Sequence, residues 1–435
     1  MSLFTIGLIF IGILLILLFL RMPVGFVMAL VGFVGYAYLT KMEGAFGQLR
    51  IVPMSITTNY DLCVIPLFML MGSFAYHSGL SQDLYYGAHK CVGDLPGGLA
   101  IATVLGCCGF AAVCGSTLAT AATMGMVALP EMKKYNYDSA LATGTVSSGG
   151  SLGILIPPSS IFIIYGILTE QSISSLFIAG VFPGLLLAFL FMITIYVRVK
   201  INPRLAPPSE KIPFVEKLKS FKYMWPVLTL FFVIMGGLYM GIFTATEAAG
   251  VGAFGALLFG LIKKRLNREK IVAAFIEAMR STAMIFVIII GAMLFGYFLT
   301  VSRLTSELAN FIAGLEMSRY VIFLGIIAVY VILGCLMDTL AMVILTVPIF
   351  YPLIVKMDFD PIWFGVIMVL IVEMGVLTPP VGMNVYVVHG IAKDVPMSTI
   401  FRGVMPFFIM MILSIILLTI FPQIALFLPK LMMGG

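Results

Sequence analysis

Long apolar segments alternate with short polar or basic segments along this chain of 435 residues. The first segment, residues 1–20, is longer than the core of a signal peptide, and it lacks both a preceding basic region and a following small-residue cleavage site. We therefore expect it to remain as a first helix. Repeated segments of this kind predict an all-α polytopic membrane protein.

One apolar segment, residues 96–130, is too long for a single crossing. As a straight helix it would extend about 50 Å, whereas the hydrocarbon core of a bilayer is about 30 Å thick. Both of its flanks are basic, so we expect a re-entrant hairpin that enters from the cytoplasm and turns at Gly115, Ser116 and Thr117. One ordinary span followed by a surface helix remains the alternative.

Lysine and arginine are concentrated around residues 198–222 and 263–280. Membrane proteins keep an excess of basic residues in cytoplasmic loops, so both clusters are predicted to be cytoplasmic. The segment between them, about 224–262, then crosses the membrane twice. The preceding segments, about 138–170 and 172–197, are also predicted to cross.

The two halves of the chain share short motifs at a displacement of 222 residues. An odd number of crossings in the first half reverses the orientation of the second, which predicts the inverted-topology repeat that is common in secondary transporters. We assign residues 1–200 to the first repeat, 201–222 to a cytoplasmic basic linker and 223–430 to the second repeat, with a second hairpin over about 324–354. The matching motifs are Ser116–Ala119 with Asp338–Ala341, Pro130 with Pro352, and Pro157-Pro158 with Pro379-Pro380.

A helix broken by glycine and proline is predicted after each hairpin, over about 138–170 and 360–391. Unwound backbone and nearby hydroxyl groups offer the hard oxygen ligands that Na⁺ requires, and the half-helix N-termini favour an anion. A single proline pair could be only a packing kink. Recurrence beside both hairpins instead predicts two or more sodium sites that flank one anion site.

Asp338 is the most informative single residue, because an acidic side chain inside a membrane segment costs about 3 kcal/mol to insert. It can be a ligand of a cation or substrate, or the N-cap of the second hairpin helix. Arg303 is either a membrane-surface anchor or a clamp for a substrate carboxylate. Glu247 and Glu373 are placed near span ends or next to the broken helix.

Composition excludes several classes of protein. Only 10% of the residues are charged, against about 25% in soluble domains. The net charge of +6 comes from basic clusters at segment ends, so we expect membrane lipid and not nucleic acid as a partner. The cysteines and histidines do not have the spacing of a metal site or a thiol-redox site, and the chain has no nucleotide-binding or protease motif. We therefore predict that the protein is not an enzyme and has no organic cofactor.

Seven motifs, in order along nearly the whole chain, resemble those of the large membrane subunit of tripartite ATP-independent periplasmic (TRAP) transporters of the DctM or SiaM type. The chain departs from the usual first-tip pattern at Cys114 and Leu118, where many relatives carry serine and proline. The motifs are Arg21–Gly25, Pro66–Met69, Gly115–Ala122, Ser148–Ser159, Ile178–Gly184, Thr246–Ala249 and Leu377–Asn384.

The resemblance implies an elevator-type transporter in a bacterial inner membrane. In such a transporter, the hairpins and broken helices slide against a scaffold that packs on a small four-helix membrane subunit. It also implies sodium-driven uptake of an organic anion, such as a C4-dicarboxylate or sialic acid, delivered by a periplasmic substrate-binding protein. A stand-alone dicarboxylate- or citrate-type permease is the alternative within transport, and an intramembrane enzyme or a structural subunit is the alternative outside it.

The resemblance also implies site residues. The first sodium site would use Gly115, Ser116, Gly149, Ser151 and Pro157. The second would use Gly334, Met337, Gly375 and Thr378. The substrate carboxylate would lie near Asp338, Thr339 and Asn384, and Ser116 and Arg303 complete the predicted substrate-binding set.

Overall fold

The computed structural model describes residues 2–20, 22–207, 212–314, 317–334 and 337–432. Arg21 of the first motif lies outside the described residues. Within those ranges the secondary structure is entirely helical, with short 3-10 helices at Tyr60–Cys63 and Pro203–Leu205. The α-helices are α1 Leu3–Phe19, α2 Val24–Leu39, α3 Met42–Thr57, α4 Val64–His77, α5 Leu80–Val92, α6 Gly98–Cys114, α7 Thr117–Lys134, α8 Ser139–Gly150, α9 Leu152–Leu155, α10 Ser160–Thr169, α11 Ile173–Ile201, α12 Phe214–Tyr239, α13 Ala245–Ile262, α14 Arg268–Val301, α15 Leu304–Ala313, α16 Arg319–Gly334, α17 Thr339–Lys356, α18 Pro361–Leu377, α19 Met383–Ile391, α20 Met397–Ile420 and α21 Gln423–Met432.

Eight helical segments in the described part of the chain are long and apolar enough to cross a membrane. One of them, Ser139–Thr169, combines α8, α9 and α10 and is interrupted before Ser160. Among the shorter apolar helices, α6 and α16 are the first helices of the two hairpins. The prediction of an all-α polytopic membrane protein is therefore confirmed.

The segment around residues 96–130 forms two helices joined by a tight turn, not one span with a surface helix. Helix α6 ends at Gly115, whose positive φ of 63° places it in the left-handed region that glycine adopts without strain. Helix α7 begins immediately afterwards, because the Ser116 hydroxyl accepts a hydrogen bond from the Ala119 amide at 3.4 Å. Two adjacent cap residues thus reverse the chain.

The internal repeat is visible in how corresponding helices begin. Asp138 caps α8 and Asp360, 222 residues later, caps α18, each accepting a hydrogen bond from a backbone amide of the first turn. Ser116 and Asp338 have the same relation at the starts of α7 and α17. The expected two hairpins and two interrupted helices are therefore both present.

The helices form two groups that meet at the hairpin tips. In the first group α14 packs along α2 and α4, while α13 packs along α4. In the second group the two halves of the chain interleave: α10 packs against α17, α19 against α7, and α20 against α8. The Tyr165 hydroxyl of α10, for example, donates to the Pro361 carbonyl at 2.6 Å. Each broken helix thus supports the hairpin of the other half.

Ion pairs connect the segment ends that the charge pattern predicts to be cytoplasmic. Lys217 contacts Asp94 at 2.5 Å, and Lys133 contacts Asp394 at 2.6 Å. The hydrogen bond from Lys133 holds the pKa of the exposed Asp394 carboxyl below its usual range. Helix α12 begins at Phe214, within the linker predicted over 201–222, and residues 208–211 of that linker lie outside the described residues.

Helices α8 and α20 cross at Gly144 and Gly403, where a methyl group on Gly403 would overlap the Ala140 carbonyl. We predict that Gly403→Ala destabilises the protein by about 1–3 kcal/mol, because the two helices must separate. Thermal unfolding in one detergent measures this. Gly250→Ala in α13, where a methyl meets open space, is the control and should leave the melting temperature unchanged or slightly higher. Equal melting temperatures for both variants would contradict the close crossing.

Candidate functional site

The first hairpin tip is fastened to the first broken helix. The Ser160 hydroxyl, at the start of α10, donates to the Gly115 carbonyl at 2.9 Å. A side chain on Gly115 would lie 2.8 Å from the Pro158 carbonyl, so the close approach requires glycine. The tip and the break therefore form one unit.

The second tip has the same relation to the second broken helix. The backbones of Gly334, at the end of α16, and Gly375, in α18, pack directly together, since a methyl on either would lie 2.6 Å from the other's Cα. Asp338 then caps α17 by accepting a hydrogen bond from the Ala341 amide at 3.4 Å. Asp338 is thus the N-cap of α17, and this role is compatible with a ligand role. Residues 335 and 336 of this tip lie outside the described residues.

Both broken helices are interrupted at a proline pair with a cis peptide bond, Pro157-Pro158 and Pro379-Pro380. Hydroxyl groups next to the breaks bond to the backbone. Ser151 donates to the Ser148 carbonyl at 2.6 Å, and Thr378 donates to the Gly375 carbonyl at 2.9 Å. These contacts concentrate backbone and hydroxyl oxygens beside each tip, where they could surround a small hard cation.

The two tips border a single cavity of about 740 Å³ between the two helix groups. Asp338 is the one charged side chain among the described residues that line it. The N-termini of α7 and α17 reach this cavity and direct the positive ends of their dipoles toward it. The polar lining consists of Ser116, Thr117, Ser160, Ser281, Asp338 and Thr339. Helices α2 and α14 contribute the apolar side chains of Val24, Phe26, Met284, Ile285, Val287 and Ile288.

Other predicted residues lie away from the cavity surface. Asn384 is fully buried, and its amide nitrogen donates to the Ser147 carbonyl of the first broken helix at 3.1 Å. Gly149 faces Cys107 of α6. Arg303 is exposed at the turn between α14 and α15 and does not line the cavity. Ser116, Asp338 and Thr339 are thus brought together, whereas Arg303 is not.

Glu373, predicted near a span end or next to the broken helix, lies in α18 shortly before the break and is only 1% exposed. One carboxylate oxygen accepts a hydrogen bond of 2.7 Å from the Thr117 hydroxyl at the first hairpin tip. The sequence contained one signal for this residue: an acidic side chain inside the long apolar run 361–377.

Comparison with known proteins agrees with this architecture. Residues 11–424 match the family model described as "Tripartite ATP-independent periplasmic transporter, DctM component". The solved structure of the YdaH transporter of Alcanivorax borkumensis superposes with a TM-score of 0.61, covering 89% of this chain and 88% of that chain. At 16% identity this likeness shows the fold alone.

Two curated relatives span most of the chain. The C4-dicarboxylate TRAP transporter large permease protein DctM of Pseudomonas aeruginosa is 36% identical over 385 residues, 88% of this chain and 89% of that protein. The sialic acid TRAP transporter large permease protein SiaM of Vibrio cholerae is 31% identical over 419 residues, 96% of this chain and 97% of that protein.

A third relative is a longer protein. The isethionate TRAP transporter permease protein DctMQ of Oleidesulfovibrio alaskensis is 32% identical over 374 residues, which are 85% of this chain but 58% of that protein. Together with the hairpins, the broken helices and the cavity between them, these matches show that the chain belongs to the DctM family of TRAP transporter large permeases, multi-pass proteins of the bacterial inner membrane that are transporters and not enzymes.

Proposed function

We propose that this chain is the permease through which a sodium gradient drives the import of an organic anion delivered by a periplasmic substrate-binding protein. The observation that carries the proposal is the cavity between the tips, where the described lining has one carboxylate and no basic side chain. An anion can be held there only if cations and helix dipoles offset its charge. Coupling to sodium follows naturally from that requirement.

The proposed cation sites lie beside the two tips. The first uses oxygens of Gly115, Ser116, Gly149, Ser151 and Pro157, and the second uses oxygens of Gly334, Met337, Gly375 and Thr378. Support comes from the contact of Gly115 with Ser160 and from the close packing of Gly334 on Gly375.

The proposed substrate site is the cavity itself. Asp338, Thr339 and Ser116 line it, and Asn384 supports it from behind the first broken helix. Relatives named for C4-dicarboxylate, sialic acid and isethionate transport point to a carboxylate or sulfonate as the substrate. Arg303 is not included, because it lies at an exposed turn.

We further propose that the interleaved hairpins and broken helices move as one unit against α2, α4 and α14, in an elevator motion. The cavity lies at the boundary between these two groups, so a displacement of one group would carry its contents. A small four-helix membrane subunit is proposed to pack on the scaffold, in keeping with the tripartite family. A permease that works without partners is the competing possibility.

Sodium should stabilise the purified protein specifically. A ligand that binds only the folded state adds about 2.7 kcal/mol at a hundredfold excess over its Kd. We predict a saturable rise of the melting temperature in Na⁺ that is absent in K⁺ and choline at equal ionic strength, and weaker in Ser116→Ala and Thr378→Ala. Thr194→Ala, which removes a similar backbone-bonded hydroxyl from α11, is the control and should respond like the wild type. Identical curves in all three cations would refute the sodium sites.

The charge of Asp338 can be separated from its capping role. Asparagine caps helices as well as aspartate does, so Asp338→Asn should keep the melting temperature measured without sodium. If the carboxylate binds a cation, the same variant should need about tenfold more Na⁺ for half-maximal stabilisation, since a charge-assisted contact is lost. A sodium titration that matches the wild type would leave Asp338 with the capping role alone.

A further inference from the structure

A carboxylate of the second repeat reaches the tip of the first hairpin. The Glu373 side chain of α18 is 1% exposed, and one of its oxygens accepts the 2.7 Å hydrogen bond from Thr117, the first residue of α7. The other oxygen, Oε2, is buried and has no hydrogen-bond partner among the described residues. Glu373 therefore contacts the residue that follows Ser116 at the first tip, and it lies two positions before Gly375 in sequence.

The surroundings of Glu373 do not compensate its charge. Elsewhere in the chain, the largely buried Asp83 carboxylate is held by Lys263 at 2.5 Å and by Arg265 at 2.9 Å. Within the described ranges, Glu373 has no such basic partner. A buried carboxylate with one neutral hydrogen bond is strongly unfavourable unless a counter-charge is present or the group takes up a proton.

Oxygen atoms are also concentrated where the first tip meets the first broken helix. The Thr120 hydroxyl and the Ser116 carbonyl lie directly against Gly153, where a methyl group would be 2.8 and 2.6 Å from them. In the described part of the chain, no hydrogen-bond partner exists for the buried side-chain oxygens of Ser147, Ser148 and Asn384. Neutral oxygens of this kind, with a nearby carboxylate, are the ligand set of a hard monovalent or divalent cation.

The repeat makes the position of Glu373 more informative. Its counterpart 222 residues earlier is Ser151, and the counterpart of Asp338 is Ser116. The first repeat therefore has a neutral hydroxyl at both places where the second has a carboxylate. Asp338 lies at the tip of the second hairpin, in its own repeat, whereas Glu373 contacts the tip of the first hairpin, in the other repeat.

We propose that Glu373 binds the cation at the first hairpin tip through its second carboxylate oxygen, so that the second repeat supplies one carboxylate to each tip. This assignment rests on the proposed sodium coupling and adds a charged ligand to the first site. Its Thr117 contact holds the carboxylate in place. Binding at the first tip then also ties the first hairpin to the second broken helix.

Sodium titrations of the melting temperature test this assignment. Glu373→Gln preserves the shape of the side chain and an oxygen that can accept from Thr117, so we expect little change without sodium. The half-saturating Na⁺ concentration should rise about tenfold or more, because a charged ligand becomes neutral. Glu373→Asp keeps the charge, so its half-saturating Na⁺ concentration should lie between those of the wild type and Glu373→Gln. Glu269→Gln, which removes an exposed carboxylate at the start of α14, is the matched control and should titrate like the wild type.

If Glu373→Gln has the same half-saturating Na⁺ concentration as the wild type, the assignment is overturned and Glu373 is a packing residue. If that variant does not fold, Thr117→Val releases the carboxylate while retaining its charge, and it should raise the half-saturating Na⁺ concentration severalfold; an unchanged value would equally overturn the assignment. A wild-type protein without any sodium-specific response would instead contradict the proposed function, and this assignment with it.

Discussion

The ends of the hairpin helices and of the broken helices must satisfy their backbone groups within a membrane protein, where water is scarce, and this constraint shapes the whole site. A helix end leaves several amides or carbonyls without partners inside the helix, and an unsatisfied group in lipid costs several kcal/mol. Here Ser116 and Asp338 cap the hairpin helices, Ser160 bonds to Gly115, and Thr378 bonds to Gly375. The oxygens gathered for this purpose are also the groups that a cation can use.

Symmetry explains why the ends meet at one place. Each broken helix packs against the hairpin of its own half and against the hairpin of the other half, so both repeats contribute to each tip region. The fold is nevertheless asymmetric in charge. Ser116 and Ser151 of the first repeat correspond to Asp338 and Glu373 of the second. A duplicated backbone thus supports two hairpin tips whose acidic groups, Asp338 and Glu373, both come from the second half.

Much of this architecture could be predicted from the sequence, because its signals are local. The Gly115-Ser116 pair predicted the turn of the first hairpin, and the proline pairs at 157 and 379 predicted the breaks. The site was harder to predict. Glu373 meets Thr117 across 256 residues of sequence, and no local pattern indicates such a contact. The exposed position of Arg303 and the burial of Asn384 likewise depend on tertiary packing.

The most direct test of the central claim is uptake of radiolabelled anions into proteoliposomes that contain this permease, with a small membrane subunit and a binding protein from the same source. A panel of carboxylates and sulfonates covers the substrate class. We predict accumulation of at least one anion when Na⁺ is higher outside, and no accumulation when choline replaces Na⁺ or when the binding protein is omitted. Equal accumulation without sodium would contradict the coupling. Accumulation without the binding protein would show that the permease does not require one.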